Sequence, residues 1–192
     1  MTTVITETTR KPILWWKALT WVACAVLVLL GAIWSRQVWY LNFVHVFFGI
    51  LWTGTDIFMG FILGPIMRRV DLATRRTIIS LLMPRMLLYM PVVSAVTSTA
   101  GLTMAQWMGL FNLPYPQRYW LDAALVIGVI LTVQGLAFLL PTNLRVYFEL
   151  QKPMPDLQKI QRLMGWYVKV VASQALMQVA IIVVMARIRS GM

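Results

Sequence analysis

The chain has 192 residues, of which 60% are hydrophobic and only 12% are charged, and its net charge at pH 7 is +11. Soluble domains carry about 25% charged residues, so this composition excludes an ordinary soluble fold and indicates a polytopic α-helical membrane protein. Because the basic residues cluster at the ends of apolar runs, we expect contacts with membrane lipids and no nucleic-acid partner.

Five apolar runs predict an all-α fold with five transmembrane helices in one domain covering residues 1–192. About 20 apolar residues suffice to cross a bilayer, and each run reaches that length. Helices 2–5 are predicted to form an antiparallel four-helix core bundle, with the N-terminal helix 1 packed on its outside. The polar N-terminus does not resemble a cleaved signal, so helix 1 is expected to be retained. The predicted helices cover residues 13–34, 38–67, 77–111, 120–140 and 163–185.

Two prolines predict where helices bend or end. Pro65 follows Gly64 and marks a bend or end of helix 2, while Pro141 is predicted to end helix 4. Residues 142–162 are charged and amphipathic. They are predicted to extend helix 4 and then to form a short helix at the membrane interface.

Basic clusters predict the orientation of the chain in the membrane. With the N-terminus inside, three clusters face the cytoplasm, as the positive-inside rule favours. We therefore predict a multi-pass protein of the cytoplasmic (inner) membrane, with the N-terminus inside and the C-terminus outside. The clusters are Arg10/Lys11/Lys17, Arg68/Arg69/Arg75/Arg76 and Lys152/Lys159/Arg162.

Two charged residues lie inside apolar runs, Asp56 in helix 2 and Arg85 in helix 3. A charge at the bilayer centre costs at least about 2.5–3.5 kcal/mol, so such residues face the bundle interior and are paired. Counted from the loop between helices 2 and 3, Asp56 and Arg85 lie about 18 and 14 Å deep, at 1.5 Å per residue. The matching depths predict an intramembrane charge pair, with Lys169 as a second possible partner. The pair is either structural or part of a proton, propionate or quinone site.

His45, the only histidine, lies on one helical stripe with Gly49, Trp52 and Asp56. A neutral imidazole is a haem or copper ligand. Gly49, one turn away, leaves room for a flat ring, on which Trp52 could stack. The alternative is that His45 forms a hydrogen bond between helices and Trp52 packs on a neighbouring helix.

Cofactor predictions follow from this inventory. With one histidine per chain, a haem b on His45 cannot have two histidine ligands within a monomer. The haem would be five-coordinate, ligated by a Met or a Lys, or shared between subunits. Counted inward from the outer ends of the helices, helix 5 offers Met177 and Gln178 at the level of His45, and helix 3 offers Ser94, Thr97 and Ser98. Met177 is the candidate second ligand to the haem iron. Met83, Met86 and Met90 share one face of helix 3, which suits either Cu(I) or simple core packing. No classical enzyme motif is present, and enzymatic activity is left open.

The pattern HVxxGxxWxG, which includes His45, Gly49 and Trp52, resembles the opening helix of a group of small membrane proteins. The group includes copper-resistance D-type domains, the membrane domain of some bacterial urate oxidases, and HemJ-type protoporphyrinogen oxidases. Its next helix carries an Arg and ends in small residues, like Arg85 and residues 97–101 here. The resemblance covers residues 41–187 and implies a four-helix bundle with b-type haem on His45. HemJ-type enzymes also use a Lys, which helix 3 of this chain lacks.

The leading hypothesis is an integral membrane b-haem protein for electron transfer or redox chemistry. His45, Gly49, Trp52 and Arg85 would contact the cofactor, and a redox protein or larger membrane complex would be the partner. Two alternatives stay open. One is a copper or small-solute permease, and the other is a non-catalytic subunit of a larger membrane complex.

Overall fold

A computed structural model describes residues 16–190, with the side chains of residues 19–71 and 73–190. Every regular element in this range is helical. Within the described residues, four helices are long and apolar enough to cross a membrane, and the helix that precedes them is apolar but shorter. Residues 13–15 of the predicted first helix lie outside the described range. The helices are α1 (Trp16–Trp34), α2 (Val38–Arg69), α3 (Leu72–Trp107), α4 (Arg118–Leu150) and α5 (Leu157–Arg189).

The helix ends differ from the prediction mainly between α4 and α5. The predicted end of helix 4 at Pro141 is wrong, because α4 continues to Leu150. The predicted extension of this helix beyond Pro141 is confirmed. The separate interfacial helix is wrong, because those residues are the first turns of α5. Asp156 caps the start of that helix, and its carboxylate accepts a hydrogen bond from the Lys159 backbone N–H at 2.9 Å. A capping aspartate satisfies a backbone donor that the first turn leaves free.

Two six-residue π-helical segments accompany the prolines of α2 and α4, whereas α3 contains Pro84 and Pro91 within a continuous α-helix. Phe58–Leu63 precedes Pro65 in α2, and Gln134–Leu139 precedes Pro141 in α4. A proline removes one backbone hydrogen bond and its ring crowds the preceding turn. In both helices the wider π turn lies directly before the proline, and the helix continues beyond it.

The helices pack in a closed ring. α2 contacts α3 and α5, α4 contacts the same two helices, and α1 packs against α3 and α2. One buried cluster joins α3, α4 and α5 near the α2–α3 turn, through Ile79, Met83, Val146 and Ile160. A second, central cluster joins α1, α2 and α3 and includes Val44, Phe48, Trp52, Val93 and Val96.

Two glycines bring α2 close to α5. Gly60 and Gly64 are four residues apart, the spacing at which small residues let membrane helices approach. A Cβ atom at Gly60 would lie 3.1 Å from the Ala172 Cα atom, and one at Gly64 would lie 2.6 Å from Cγ1 of Val168. This contact holds the end of α2 against the middle of α5 and so fixes what Asp56 meets one turn earlier.

Candidate functional site

His45 lies at the interface between α2 and α3. Its Nδ1 atom is 2.8 Å from the backbone carbonyl oxygen of Thr97. A carbonyl oxygen only accepts, so Nδ1 carries the proton, and in the neutral imidazole Nε2 keeps its lone pair. Within the described residues, Nε2 has no hydrogen-bond partner. The His45 side chain is half-buried. The ring also lies against Gly101, where an added Cβ would be 2.6 Å from Cε1 of His45.

Gly49 and Trp52, the next two residues of the predicted stripe, have different neighbours. A Cβ at Gly49 would meet the Thr97 side-chain methyl at 3.6 Å, so α3 occupies the space beside this glycine. Trp52 is 9% exposed and belongs to the central buried cluster. Its indole lies near the Asp56 carboxylate, one turn further along α2.

Asp56 is buried, with a relative exposure of 1%, and its partner is an amide. The side-chain amide of Gln178, on α5, donates to Oδ2 of Asp56 at 2.8 Å. Among the described residues, the second carboxylate oxygen, Oδ1, is buried and has no hydrogen-bond partner, and the same holds for Oε1 of Gln178. α2 therefore places a carboxyl group in the interior of the helix bundle without a neighbouring cation in the described part of the chain.

The predicted Asp56–Arg85 pair is not among the ion pairs of residues 16–190. Arg85 is exposed, and its guanidinium donates to the carbonyl of Leu81 on its own helix. The two residues lie at matching depths along their helices, but the Asp56 side chain points into the bundle and the Arg85 side chain points out of it. The buried residues Met83 and Leu87 define the inner face of α3. Arg85 lies two residues from each, about 200° around the helix at 3.6 residues per turn.

The two other predicted partners also lie elsewhere. Lys169 is exposed and stacks over the Trp166 ring at 5.5 Å, so it is not the partner of Asp56. Met177 packs against the central cluster directly before Gln178, at the level of Asp56. His45 is 11 residues from Asp56, about 16 Å along α2, so Met177 is too far to share an iron with His45 in one chain. The prediction had aligned α5 by its end at residue 185, but the helix continues to Arg189.

The three methionines of α3 do not share one environment. Met83 is fully buried in the cluster near the α2–α3 turn, whereas Met90 packs against the central cluster. In residues 16–190, no group of three His, Cys, Asp or Glu side chains could hold a metal ion. An open cleft of about 540 Å³ lies at the far end of α3, and Leu102, Thr103 and Gln106 line it with Gly109, Phe111 and Asn112. His45 does not line this cleft.

The sequence interpretation missed a buried polar stripe on α5. Tyr167, Gln174 and Gln178 are 3%, 1% and 2% exposed, and spacings of seven and four residues put them on one face. Gln174 donates to the Leu131 carbonyl at 3.0 Å, and the Gln134 amide contacts the hydroxyl of the neighbouring Ser173 at 3.3 Å. The available signal was the pair of glutamines one turn apart inside an apolar helix.

Comparison with family models, curated proteins and solved structures finds no match for the chain. The resemblance to the copper-resistance, urate-oxidase and HemJ-type group therefore stays a prediction. The function has to be argued from the two polar sites in the bundle, the His45 imidazole and the Asp56–Gln178 pair.

Proposed function

We propose that the protein is an integral membrane protein that binds b-type haem through His45 and serves electron transfer or redox chemistry. The observation that carries this proposal is the contact between Nδ1 of His45 and the Thr97 carbonyl. Histidines that bind metals usually donate their other ring N–H to a carbonyl or carboxylate, which fixes the tautomer and the ring orientation. His45 has this arrangement, and Nε2 is the nitrogen left for an iron atom.

The donor chemistry of the site fits a haem with one protein ligand. Gly101 lies against the imidazole and restricts its position, while Gly49 and Thr97 fill the space one turn away. In this arrangement His45 would hold the iron, and the haem when bound would supply one-electron chemistry. Arg85 is 12 residues before Thr97 on α3, about 18 Å along the axis, so this chain holds the ligand and the arginine at different depths.

The surroundings of His45 favour a cofactor at the surface of the bundle. Phe43, Val46 and Phe47, beside His45 in sequence, are exposed apolar side chains of the kind that face lipid or another membrane chain. A larger membrane complex or a redox partner could complete the site there. This observation also supports the second candidate function, a subunit of a larger membrane complex. The dispersed methionines give no comparable support to a copper permease.

We also propose that α1 is a fifth crossing beside an antiparallel four-helix bundle in the cytoplasmic (inner) membrane, with the N-terminus inside and the C-terminus outside. Ile79, near the start of α3, and Ile160, near the start of α5, belong to one buried cluster. This cluster brings the α2–α3 turn and the α4–α5 turn to the same end of the bundle. Those turns carry the two strongest basic clusters, and the positive-inside rule assigns that end to the cytoplasm. Cysteine labelling from either side of the membrane would test the orientation.

Reduced-minus-oxidised absorption spectra of protein purified from haem-replete cells test the haem proposal. We expect Soret and α bands in the wild type and their loss in His45→Ala. His45→Gln is the sharper variant, because its amide can still donate to the Thr97 carbonyl but offers no imidazole nitrogen. It should keep most of the stability and lose the haem. A colourless wild type, or bands that survive in His45→Gln, would contradict the proposal.

A further inference from the structure

The interior of the bundle holds a carboxyl group that, within the described residues, has no cation to balance a negative charge. Asp56 on α2 is 1% exposed and is absent from the salt bridges of the described residues. Among the described residues, two tyrosines on the packed helices lie beside this group. Tyr89 of α3 bonds Thr55, the neighbour of Asp56, and Tyr167 of α5 lies close enough to interact electrostatically with the carboxyl group. α4 contributes two amides near this stripe: Gln134 contacts Ser173, and Asn143 contacts Tyr167.

Burying an isolated carboxylate is far more costly than burying its neutral acid, so such a group takes up a proton. Among the described residues no backbone N–H donates to the Asp56 side chain, so backbone groups do not offset this cost. The neighbouring side-chain donors are the Gln178 amide, at 2.8 Å, and the Trp52 indole. The environment therefore favours the neutral carboxylic acid on physical grounds that do not depend on any partner.

The unpartnered atoms indicate where the proton sits. Among the described residues, Oδ1 of Asp56 and Oε1 of Gln178 are buried and neither accepts a hydrogen bond of ordinary geometry, although the other halves of the same two groups are bonded to each other. If Oδ1 carries a proton and donates it in a hydrogen bond to Oε1, both oxygens gain a partner. The carboxylic acid and the carboxamide then form a two-bond pair, and buried polar groups are expected to be paired in this way.

A divalent cation fits these atoms less well. Ca²⁺ takes six to eight oxygen ligands and Mg²⁺ takes six, whereas the Asp56–Gln178 pair offers two free oxygens. The described residues also contain no metal-holding group of acidic or histidine side chains.

We propose that Asp56 is a proton-binding residue, held as a carboxylic acid whose Oδ1–H donates to Oε1 of Gln178. The polar stripe on α5 extends from this pair through Gln174 to Tyr167, toward the end of the bundle with the α2–α3 turn. When the proton leaves, the Oδ1–H bond breaks, its electron pair stays on the carboxylate, and a water molecule accepts the proton. The site therefore gains or loses one charge inside the membrane, independently of any cofactor on His45.

Infrared spectroscopy of the purified protein at neutral pH tests this directly. A protonated carboxyl group gives a C=O stretching band distinct from carboxylate bands, and we expect one such band, shifted by exchange into D₂O. It should disappear in Asp56→Asn, a neutral isostere that can keep the bundle intact. It should stay in Asp71→Asn. Asp71 is exposed at the start of α3, and hydrogen bonds from the Thr74 side chain and from backbone N–H groups lower its pKa, so it is ionised.

Gln178→Leu distinguishes the paired acid from an acid with another donor or acceptor. Loss of both hydrogen bonds should shift the carboxylic band to higher frequency without removing it. The proposal is overturned if the wild type shows no carboxylic band that Asp56→Asn removes. It is also overturned if the band is replaced by carboxylate bands when sodium is added at constant pH, because the site would then hold a metal cation. Gln178→Leu with an unshifted band would exclude the acid–amide pair.

Discussion

Gly101→Ala tests whether the imidazole of His45 is held between Gly101 and the Thr97 carbonyl. The new methyl carbon would lie 2.6 Å from Cε1 and 2.8 Å from Nδ1 of His45. Carbon atoms in contact stay about 3.5–4.0 Å apart, so the ring must move by about 1 Å. A shift of that size away from Thr97 stretches the 2.8 Å contact beyond hydrogen-bonding range.

The expected cost combines two effects. Overpacking costs about 1–3 kcal/mol, and the lost hydrogen bond adds about 0.5–1.5 kcal/mol. Alanine also gains up to about 1 kcal/mol over glycine in a helix. Gly128→Ala is the matched control for that gain, because nothing lies within 4 Å of a Cβ added there. Relative to Gly128→Ala, we expect Gly101→Ala to lower the free energy of unfolding by about 1.5–4.5 kcal/mol.

Denaturant unfolding in detergent micelles measures this difference, and a double-mutant cycle assigns it to His45. In a His45→Ala background the imidazole is gone, so Gly101→Ala should cost no more than the Gly128→Ala control. If Gly101→Ala is as stable as the control in the wild-type background, the proposed close contact is refuted. If its cost is unchanged in the His45→Ala background, another neighbour causes the clash. If His45 binds haem, Gly101→Ala should also reduce the haem content of the purified protein.

Four further outcomes are expected from unfolding measurements. Gly60→Ala should cost about 1–3 kcal/mol, because its Cβ meets backbone atoms of α5, whereas Gly54→Ala, with open space around it, should be tolerated. Arg85→Gln should change the free energy of unfolding by less than about 0.5 kcal/mol, and a loss of about 3–5 kcal/mol would reveal a buried ion pair instead. Met83→Leu should cost less than about 1.5 kcal/mol and leave copper binding unchanged, and a lost copper signal would support the permease alternative. Glu149→Gln should lower the melting temperature, because it weakens bonds of 3.0 and 2.8 Å to two lysines, and an unchanged melting temperature would show that these bonds contribute little.

The sequence predicted the interface between His45 and α3 more successfully than the partner of Asp56. Counting residues from the helix ends placed Thr97 at the depth of His45, and the structure joins these two residues. The same method placed Gln178 at the depth of His45, whereas it bonds Asp56. The difference arises because helix ends predicted from hydropathy are uncertain by several residues, and α5 is longer at both ends than its apolar run.

Composition and apolar run length alone predict a helical protein with several helices long and apolar enough to span a membrane. These are one-dimensional properties, because a bilayer requires a fixed length of apolar helix whatever that helix packs against. Depth along a helix can also be counted from sequence. Which way a side chain points, and which helix it contacts, depends on how each helix is rotated and tilted and on which helices approach closely. Gly60 and Gly64 bring α2 against α5, so Asp56 meets Gln178, while Arg85 faces outward at a matching depth. Only the tertiary structure decided these contacts.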